Sequence, residues 1–367
     1  MRRILLFVLF AVGAPAVGQA QTTEPVPPVP QNTGSAPAMA EEVFPGTGEQ
    51  LSSQSSWVSD VYVPAPARSA CPNPWTFSTD LLLLDRNFNS HNFLGQTVTT
   101  PGGAPVAPLY PGGASVRPGM RLQLSYMIDD ELSLEGIYFG LQNWSSNGTV
   151  LADPAAGIVA FSPFTQSDKL LGGFDQSLGY SYSSRLNNAE VNFRAPVARR
   201  GRWTRENLLG IRFVEWNESF NLTGQDQFFN VSENLNTHTS NSLLGTQIGT
   251  AVRGNWDRWS LNMTGKSGLF MNFVSERFSN LNSSGVTTGF PPGFAPITRG
   301  KVSTEVAGVF DFSAIATYRI NANWSARGGY QVLYLAGVAL ASQQLSGFSH
   351  GGDVFLHGPS GGFEFRH

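Results

Sequence analysis

From about residue 75 onward, segments that alternate polar and apolar residues are joined by short turns and long loops in regular succession. Short joins fall at Asp129-Asp130, around Ala198-Gly201, at Gly254-Asp257 and at Asn321-Asn323. Long joins rich in Gly, Pro, Ser and Asn lie near 87–114, 145–177, 224–238, 279–300 and 342–351. Short hairpins on one rim and long loops on the other are what a transmembrane β-barrel of the outer-membrane type requires. A soluble sandwich has no reason to sort its loops in this way.

The segments between these joins predict ten strands: 75–86, 115–128, 131–144, 178–196, 203–222, 238–253, 258–277, 302–320, 324–341 and 352–366. The period is 2 and no useful helical period competes with it. Met120, Leu122, Leu124 and Tyr126 interleave with Arg121, Gln123 and Ser125; Trp259, Leu261 and Met263 interleave with Ser260, Asn262 and Thr264. The alternation breaks at Leu81–Leu84, and Ile137, Phe139, Leu333 and Leu335 fall on the nominally polar face. Either β-bulges or apolar plugs inside a narrow barrel account for such breaks. The expected fold is therefore all-β, a transmembrane antiparallel up-and-down barrel of about ten strands, within a range of about 8–12. An even count puts both termini on one side, with four periplasmic turns and five outward loops.

Composition agrees with a wall that meets lipid. Charged residues are 13% of the 367 residues, against about 25% in soluble domains. Aromatics are 12%, with 26 Phe and 40 Gly. A formal net charge of -3 lacks the concentrated basic face that a nucleic-acid partner needs. Residues 1–20 read as a signal peptide: Arg2 and Arg3, an apolar run from Ile4 to Val17, then the small-x-small site Gly18-Gln19-Ala20. No other stretch approaches the roughly 18 apolar residues of a spanning helix. Residues 21–74, with Pro25, Pro27, Pro28, Pro30 and Pro37, read as a disordered periplasmic tether. The barrel then occupies 75–367. The single cysteine, Cys71, precludes an internal disulfide.

Parity sends a set of ionisable groups inward: Asp80, Arg121, Glu135, Glu190, Arg194, Arg212, Lys266, Glu305, Asp311, Arg319, Arg327 and Glu364. About eight strands leave an interior just filled by side chains, and about sixteen open a channel. Ten strands thus point to a filled core of paired charges; a narrow conduit for small solutes is the sharper reading. Trp75, Trp203, Trp256, Trp259 and Trp324 sit at the expected periplasmic strand ends, and Trp144 and Trp216 at the opposite ends. Indoles prefer the membrane interface, so these predict two girdles.

Catalytic and metal signals are weak. Gly347–Gly351 and Gly358–Gly362 match G-x-S-x-G, but that motif needs a strand, a sharp turn and a helix, and no helix follows. Gly265-Lys266-Ser267 lacks the glycine that should begin a phosphate loop, since Ser260 stands there. His91, His238, His350, His357 and His367 show no metal-ligand spacing. The residues give no catalytic group, metal site or cofactor.

The run Trp324–Leu335, followed by Gly337–Ala341, resembles the penultimate strand of the planctomycete β-barrel porin-7 family. Val354–Gly358 is similar to its final segment, and Leu81–Arg86, Ser184–Asn192 and Leu244–Gly249 are similar to other recurring segments. The resemblance covers about 75–367 and implies a porin-like outer-membrane barrel, with no catalytic residues to carry over. Barrels of this broad class commonly finish on an aromatic read by the barrel assembly machinery; here Phe365 takes that place, two residues before His367. The expected partners are the lipid bilayer of the outer membrane, that machinery, and a small solute or cell-surface ligand. The leading expectation is a structural or narrow porin-like barrel, not an enzyme. A surface-binding or adhesion protein working through the long loops is the second. A barrel-embedded hydrolase and a soluble sandwich are the remaining alternatives.

Overall fold

The structure, a computed structural model, describes residues 75–87, 95–99, 105–109, 116–164, 176–226, 231–284, 297–345, 348–349 and 351–367. The signal-peptide and tether readings, Cys71, His91, His350 and the Gly347–Gly351 motif lie outside these or extend beyond them. In chain order the strands are β1 (Trp75–Asn87), β2 (Gly95–Thr99), β3 (Pro105–Leu109), β4 (Arg117–Met127), β5 (Ser133–Leu151), β6 (Ile158–Phe161), β7 (Ser177–Arg200), β8 (Trp203–Asp226), β9 (Val231–Trp256), β10 (Trp259–Ser284), β11 (Ile297–Arg319), β12 (Trp324–Val338) and β13 (Gly352–Arg366).

Ten of them form one closed barrel in the order β1-β13-β12-β11-β10-β9-β8-β7-β5-β4. Every neighbouring pair is antiparallel, and β1 closes the ring by pairing with both β13 and β4. The ten expected strands are all present, each close to its predicted place. The turns have local causes. Asp129 accepts from the Glu131 amide (2.8 Å), and Asn321 accepts from the amides of Asn323 and Trp324 (3.0 and 2.8 Å). Such Asx turns reverse the chain without help from distant packing. Gly201 supplies the positive φ, 57°, between β7 and β8.

Three differences from the sequence reading matter. First, the join expected near 224–238 is short: β8 runs to Asp226 and β9 starts at Val231. The Asn/Ser/Thr-rich stretch that reads as loop is strand, because ladder pairing overrides weak β-propensity. Second, β2, β3 and β6 lie within two expected loops and form a separate sheet in the order β3-β2-β6. Pro105 and Pro108 disguise β3; an edge strand tolerates them. Third, the expected second tryptophan girdle is corrected: Trp144 and Trp216 are both 0% exposed, inside the barrel.

The reason for the third difference is a one-residue event. Leu141 has φ 69° and the β5–β7 register shifts between Gly140 and Gln142. Positions 135, 137 and 139 face inward before this bulge and 142, 144 and 146 after it, so Trp144 turns from lipid to lumen. For Trp216 no bulge is needed. The alternation that buries Arg212 and Val214 buries Trp216 and continues through Glu218 and Phe220.

The girdle at the short-turn end is built from paired rings on the outer surface. Trp75 meets Tyr126 at 4.4 Å between centroids, Trp203 meets Trp256 at 5.4 Å, Trp259 meets Tyr318 at 4.8 Å and Trp324 meets Phe365 at 5.0 Å. From Trp203 the outward positions of β8 pass Arg205 and Asn207 near the girdle and then Leu209, Ile211 and Phe213, all three exposed, before Glu215 ends the apolar run. Ten steps at ~3.3 Å, tilted by ~40°, rise roughly 25 Å, the height of an outer-membrane apolar band. In register with Phe213 the band ends at Ala189 on β7 and Leu244 on β9. Strands β7 to β10 hold 24, 24, 26 and 26 residues, whereas β1, β4, β12 and β13 hold 13, 11, 15 and 15. One wall therefore rises far beyond this apolar band.

Candidate functional site: the barrel interior

The inward side chains form layers. At the short-turn end a cavity of about 700 Å³ opens between the strand ends, lined by Glu135, Arg194, Glu206, Arg253, Arg319 and Arg327 among others. Arg194 bridges Glu135 (3.1 Å) and Glu206 (3.3 Å). Arg327 lies between Asp80 (3.5 Å) and Glu364 (3.6 Å). Arg319, inward by parity, is exposed at the mouth and donates to the Asp257 carbonyl (2.9 Å).

Above the mouth a charged relay crosses the bore. Arg121 donates to Asp80 through Nε (3.0 Å) and Nη2 (2.9 Å), and through Nη1 to Gln331 (3.0 Å). Gln331 donates to Asp311 (3.3 Å), which also receives Arg212 (3.0 Å) and Lys266 (3.3 Å). Lys266 donates to both oxygens of Glu190 (2.8 Å each), which Gln247 also approaches (2.5 Å). Asn188 accepts from Arg212 Nε (2.5 Å). These contacts link β1, β4, β12, β11, β8, β10, β7 and β9 across the interior. A gap of about 30 Å³ lies within the relay, room for about one water molecule. Charges survive here because each lies among opposite charges and hydrogen-bonding partners; removing one partner would strand the other.

The next layer is apolar. Leu82, Leu84, Phe139, Leu186, Leu243, Leu333, Leu335 and Leu356 are all 0–1% exposed and belong to one cluster with Trp144 and Trp216. The two indoles meet at 5.8 Å. Phe139, Leu333 and Leu335, which broke the alternation, are thus apolar plugs rather than bulges, with Ile137 packed against them.

Glu218 sits above this plate with its side chain fully buried. Its Oε1 accepts from Arg86 (2.7 Å), Tyr182 (2.7 Å) and Trp216 (3.0 Å), and its Oε2 from the Ala341 amide (2.8 Å). The Arg86 guanidinium lies 4.9 Å from the Trp216 ring centroid and 5.0 Å from that of Tyr182, a favourable cation–π geometry. The last contact belongs to a segment that leaves the wall. Near the end of β12 the chain bulges at Gly337 (φ 77°) and then turns inward, and Ala339 is held twice by Asn241, whose Oδ1 accepts and Nδ2 donates (2.8 and 2.9 Å). Thr237 donates to the Ala341 carbonyl (2.8 Å), and Asn272 to that of Gly337 (3.1 Å). The short 3-10 turn Ala341–Leu345 thereby touches β8, β9 and β10, far around the ring from its own strand.

At the tall end a second core forms. Leu109 of β3 and Ala160 of β6 are buried with Leu178, Tyr180, Tyr182, Phe220, Leu222 and Leu235. The small sheet packs onto the inward face of the tall wall.

Of the residues expected to face the lumen, Arg121, Glu135, Glu190, Arg194, Arg212, Lys266 and Asp311 are buried. Glu305, Arg327 and Glu364 are half-buried. The relay brings together Arg121, Glu190, Arg212, Lys266 and Asp311; Glu305 stands opposite Asn272, away from it. Sequence reasoning missed Arg86 and Glu218. Parity could have found Glu218, six positions from Arg212 on the same strand. Among the described residues, no group of three His, Cys, Asp or Glu side chains could hold a metal ion.

No protein-family model matches the chain, and no curated protein sequence does. Solved structures do. The outer membrane protease OmpT of Escherichia coli is 9% identical with a TM-score of 0.46, covering 83% of this chain and 99% of its own. The toluene transporter TodX of Pseudomonas putida is 9% identical with a TM-score of 0.27, covering 81% and 90%. A FadL homologue of Pseudomonas aeruginosa is 9% identical with a TM-score of 0.24, covering 80% and 89%. At these identities and TM-scores nothing of their activities transfers, and the closed antiparallel barrel rests on this chain's own strand pairing.

Proposed function

We propose that this outer-membrane β-barrel is a structural, non-conducting barrel that meets its partners through its tall extramembrane wall and long loops. One observation carries the reading: the bore is crossed successively by an ion-pair relay, an apolar plate and the inward segment 339–345. A conduit for small solutes needs a continuous polar path, and a plate containing Trp144, Trp216 and Phe139 interrupts it. The reading includes no catalytic chemistry.

Planar-bilayer recording of the purified protein tests it. The expected trace has no resolved conductance steps, and regular steps would overturn the reading. Replacing residues 340–349 with a short Gly/Ser linker is expected to leave the barrel closed, because the relay and the plate remain. Lipase and protease assays are expected at background, and turnover by the folded barrel would replace this reading with a barrel-embedded hydrolase.

A further inference from the structure

The outer face of the tall wall changes character along its height in an ordered way. On β8 the outward residues run Leu209, Ile211, Phe213, then Glu215, then Asn217, Ser219, Asn221 and Thr223. Register lines carry this across five strands. Above the band, four rows of five outward positions span β5, β7, β8, β9 and β10. The third row is representative: Asn147, Ser181, Asn221, Asn236 and Ser279.

Two features separate this face from an ordinary solvated sheet. No acidic residue stands in the four rows; the nearest carboxylate, Glu215, lies one row lower and accepts from Asn187 (3.0 Å) and Asn217 (2.8 Å). Exposed sheet faces are normally kept soluble by interspersed charges of both signs. In addition, the two permanent cations, Arg185 and Arg277, both fall in the lower two of the four rows, with His238 beside Arg277, and only uncharged residues, Gly179 and the exposed Leu281 among them, stand above. Short amide and hydroxyl side chains present donors and acceptors without bulk, which suits a flat polyhydroxyl partner.

From the band upward the sequence of chemistry is apolar, then the single carboxylate of Glu215 bonded to Asn187 and Asn217, then cationic, then neutral and mostly hydrogen-bonding, with Leu281 at the β10 end of the top row. An outer-leaflet glycolipid presents the complementary order: acyl chains, phosphates, sugars. We infer that this face binds the phosphorylated, sugar-bearing headgroup of outer-leaflet glycolipids. Arg185 and Arg277 take the phosphates and the Asn/Ser/Thr rows take the saccharide. The face is continuous with the lipid-facing band, so a lipid lying against Leu209, Ile211 and Phe213 places its headgroup on these rows. This inference rests on the proposed placement of the tall wall outside the membrane.

The test uses the full-length protein in detergent, with a phosphorylated rough-type lipooligosaccharide as probe and native mass spectrometry to count retained lipid. Wild type is expected to retain the probe. The double variant R185Q/R277Q should retain about tenfold less for each phosphate contact worth about 1.4 kcal/mol. The variant S181E/N221E/N236E should weaken retention of the sugar-bearing probe but not of a sugar-free phosphorylated lipid A. All five side chains are at least partly solvent-accessible, so these barrels should fold, and heat-modifiable gel migration checks that they do. No retention by wild type, or equal retention by all variants, would overturn the inference. Equal binding of the lipid-free oligosaccharide would overturn it too, by assigning the face to a soluble glycan. A separate arm labels N236C in intact cells with a membrane-impermeant thiol reagent, Cys71 being replaced by Ser. Labelling only after permeabilisation would sink the wall's placement. Labelling of intact cells without lipid retention would sink this inference alone.

Discussion

The lower and upper halves of β7 to β10 obey one period and opposite chemistry. Below Phe213, apolar side chains face out and Arg212, Glu190 and Lys266 face in. Above it, Asn, Ser and Thr face out, while Tyr180, Phe220, Leu222 and Leu235 face in against the small sheet. The strands do not change; the solvent does. In the bilayer the apolar face meets lipid and polar groups collect in the bore. Above it water lies outside, so the same alternation builds an ordinary apolar core. A single strand therefore carries two opposite definitions of "inside".

Breaking the lower half at its relay should have the largest effect. Asp311→Ala leaves Arg212 and Lys266 facing each other's charge in the bore. We expect a loss of about 3–5 kcal/mol, read as a lower urea midpoint for the barrel in lipid vesicles. An unchanged midpoint would mean the relay is solvated rather than structural.

The outer faces of the two halves offer a matched pair. Leu209→Arg, in the middle of the apolar band, should cost about 2–4 kcal/mol. Asn221→Arg, on the same strand and the same face but above the band, should stay within about 0.5 kcal/mol. Vesicle refolding titrations of the two variants measure both. Equal costs would erase the boundary at Phe213.

The most local effect tests the inward segment. Gly337 has φ 77°, and a Cβ there would lie 2.7 Å from the Val306 carbonyl oxygen. Gly337→Ala should cost about 1–3 kcal/mol of local stability. Faster limited proteolysis near residues 339–345, with the barrel itself intact, would show it. No change would mean that Asn241 and Glu218 hold the segment without the bend.

Legibility followed the range of the interaction. The ten barrel strands and the short turns are local, so Met120–Tyr126 and Asn321–Asn323 announce them directly. The inward charges are also legible, because parity carries from one residue to the next along a strand. Glu218 and Trp216 were within reach of the same rule, and the preference of indoles for interfaces hid them. Trp144 was not within reach, since the bulge flips the parity at Leu141, a residue that rarely takes a positive φ, so no local pattern announces it. The strand at 231–237 was read as loop because Asn and Ser disfavour strands locally, and only pairing to β8 and β10 makes them one.

By itself the sequence determined the period, the even strand number and the sign of the interior, because alternation and turn-forming residues act over a few positions. Tertiary structure alone decided which charges meet, that Leu333 and Phe139 complete a plate, and that residues 339–345 enter the bore. Those outcomes depend on closure of the ring, which brings β12 opposite β8 and places Asn241 within reach of Ala339. No local pattern encodes a distance across a barrel.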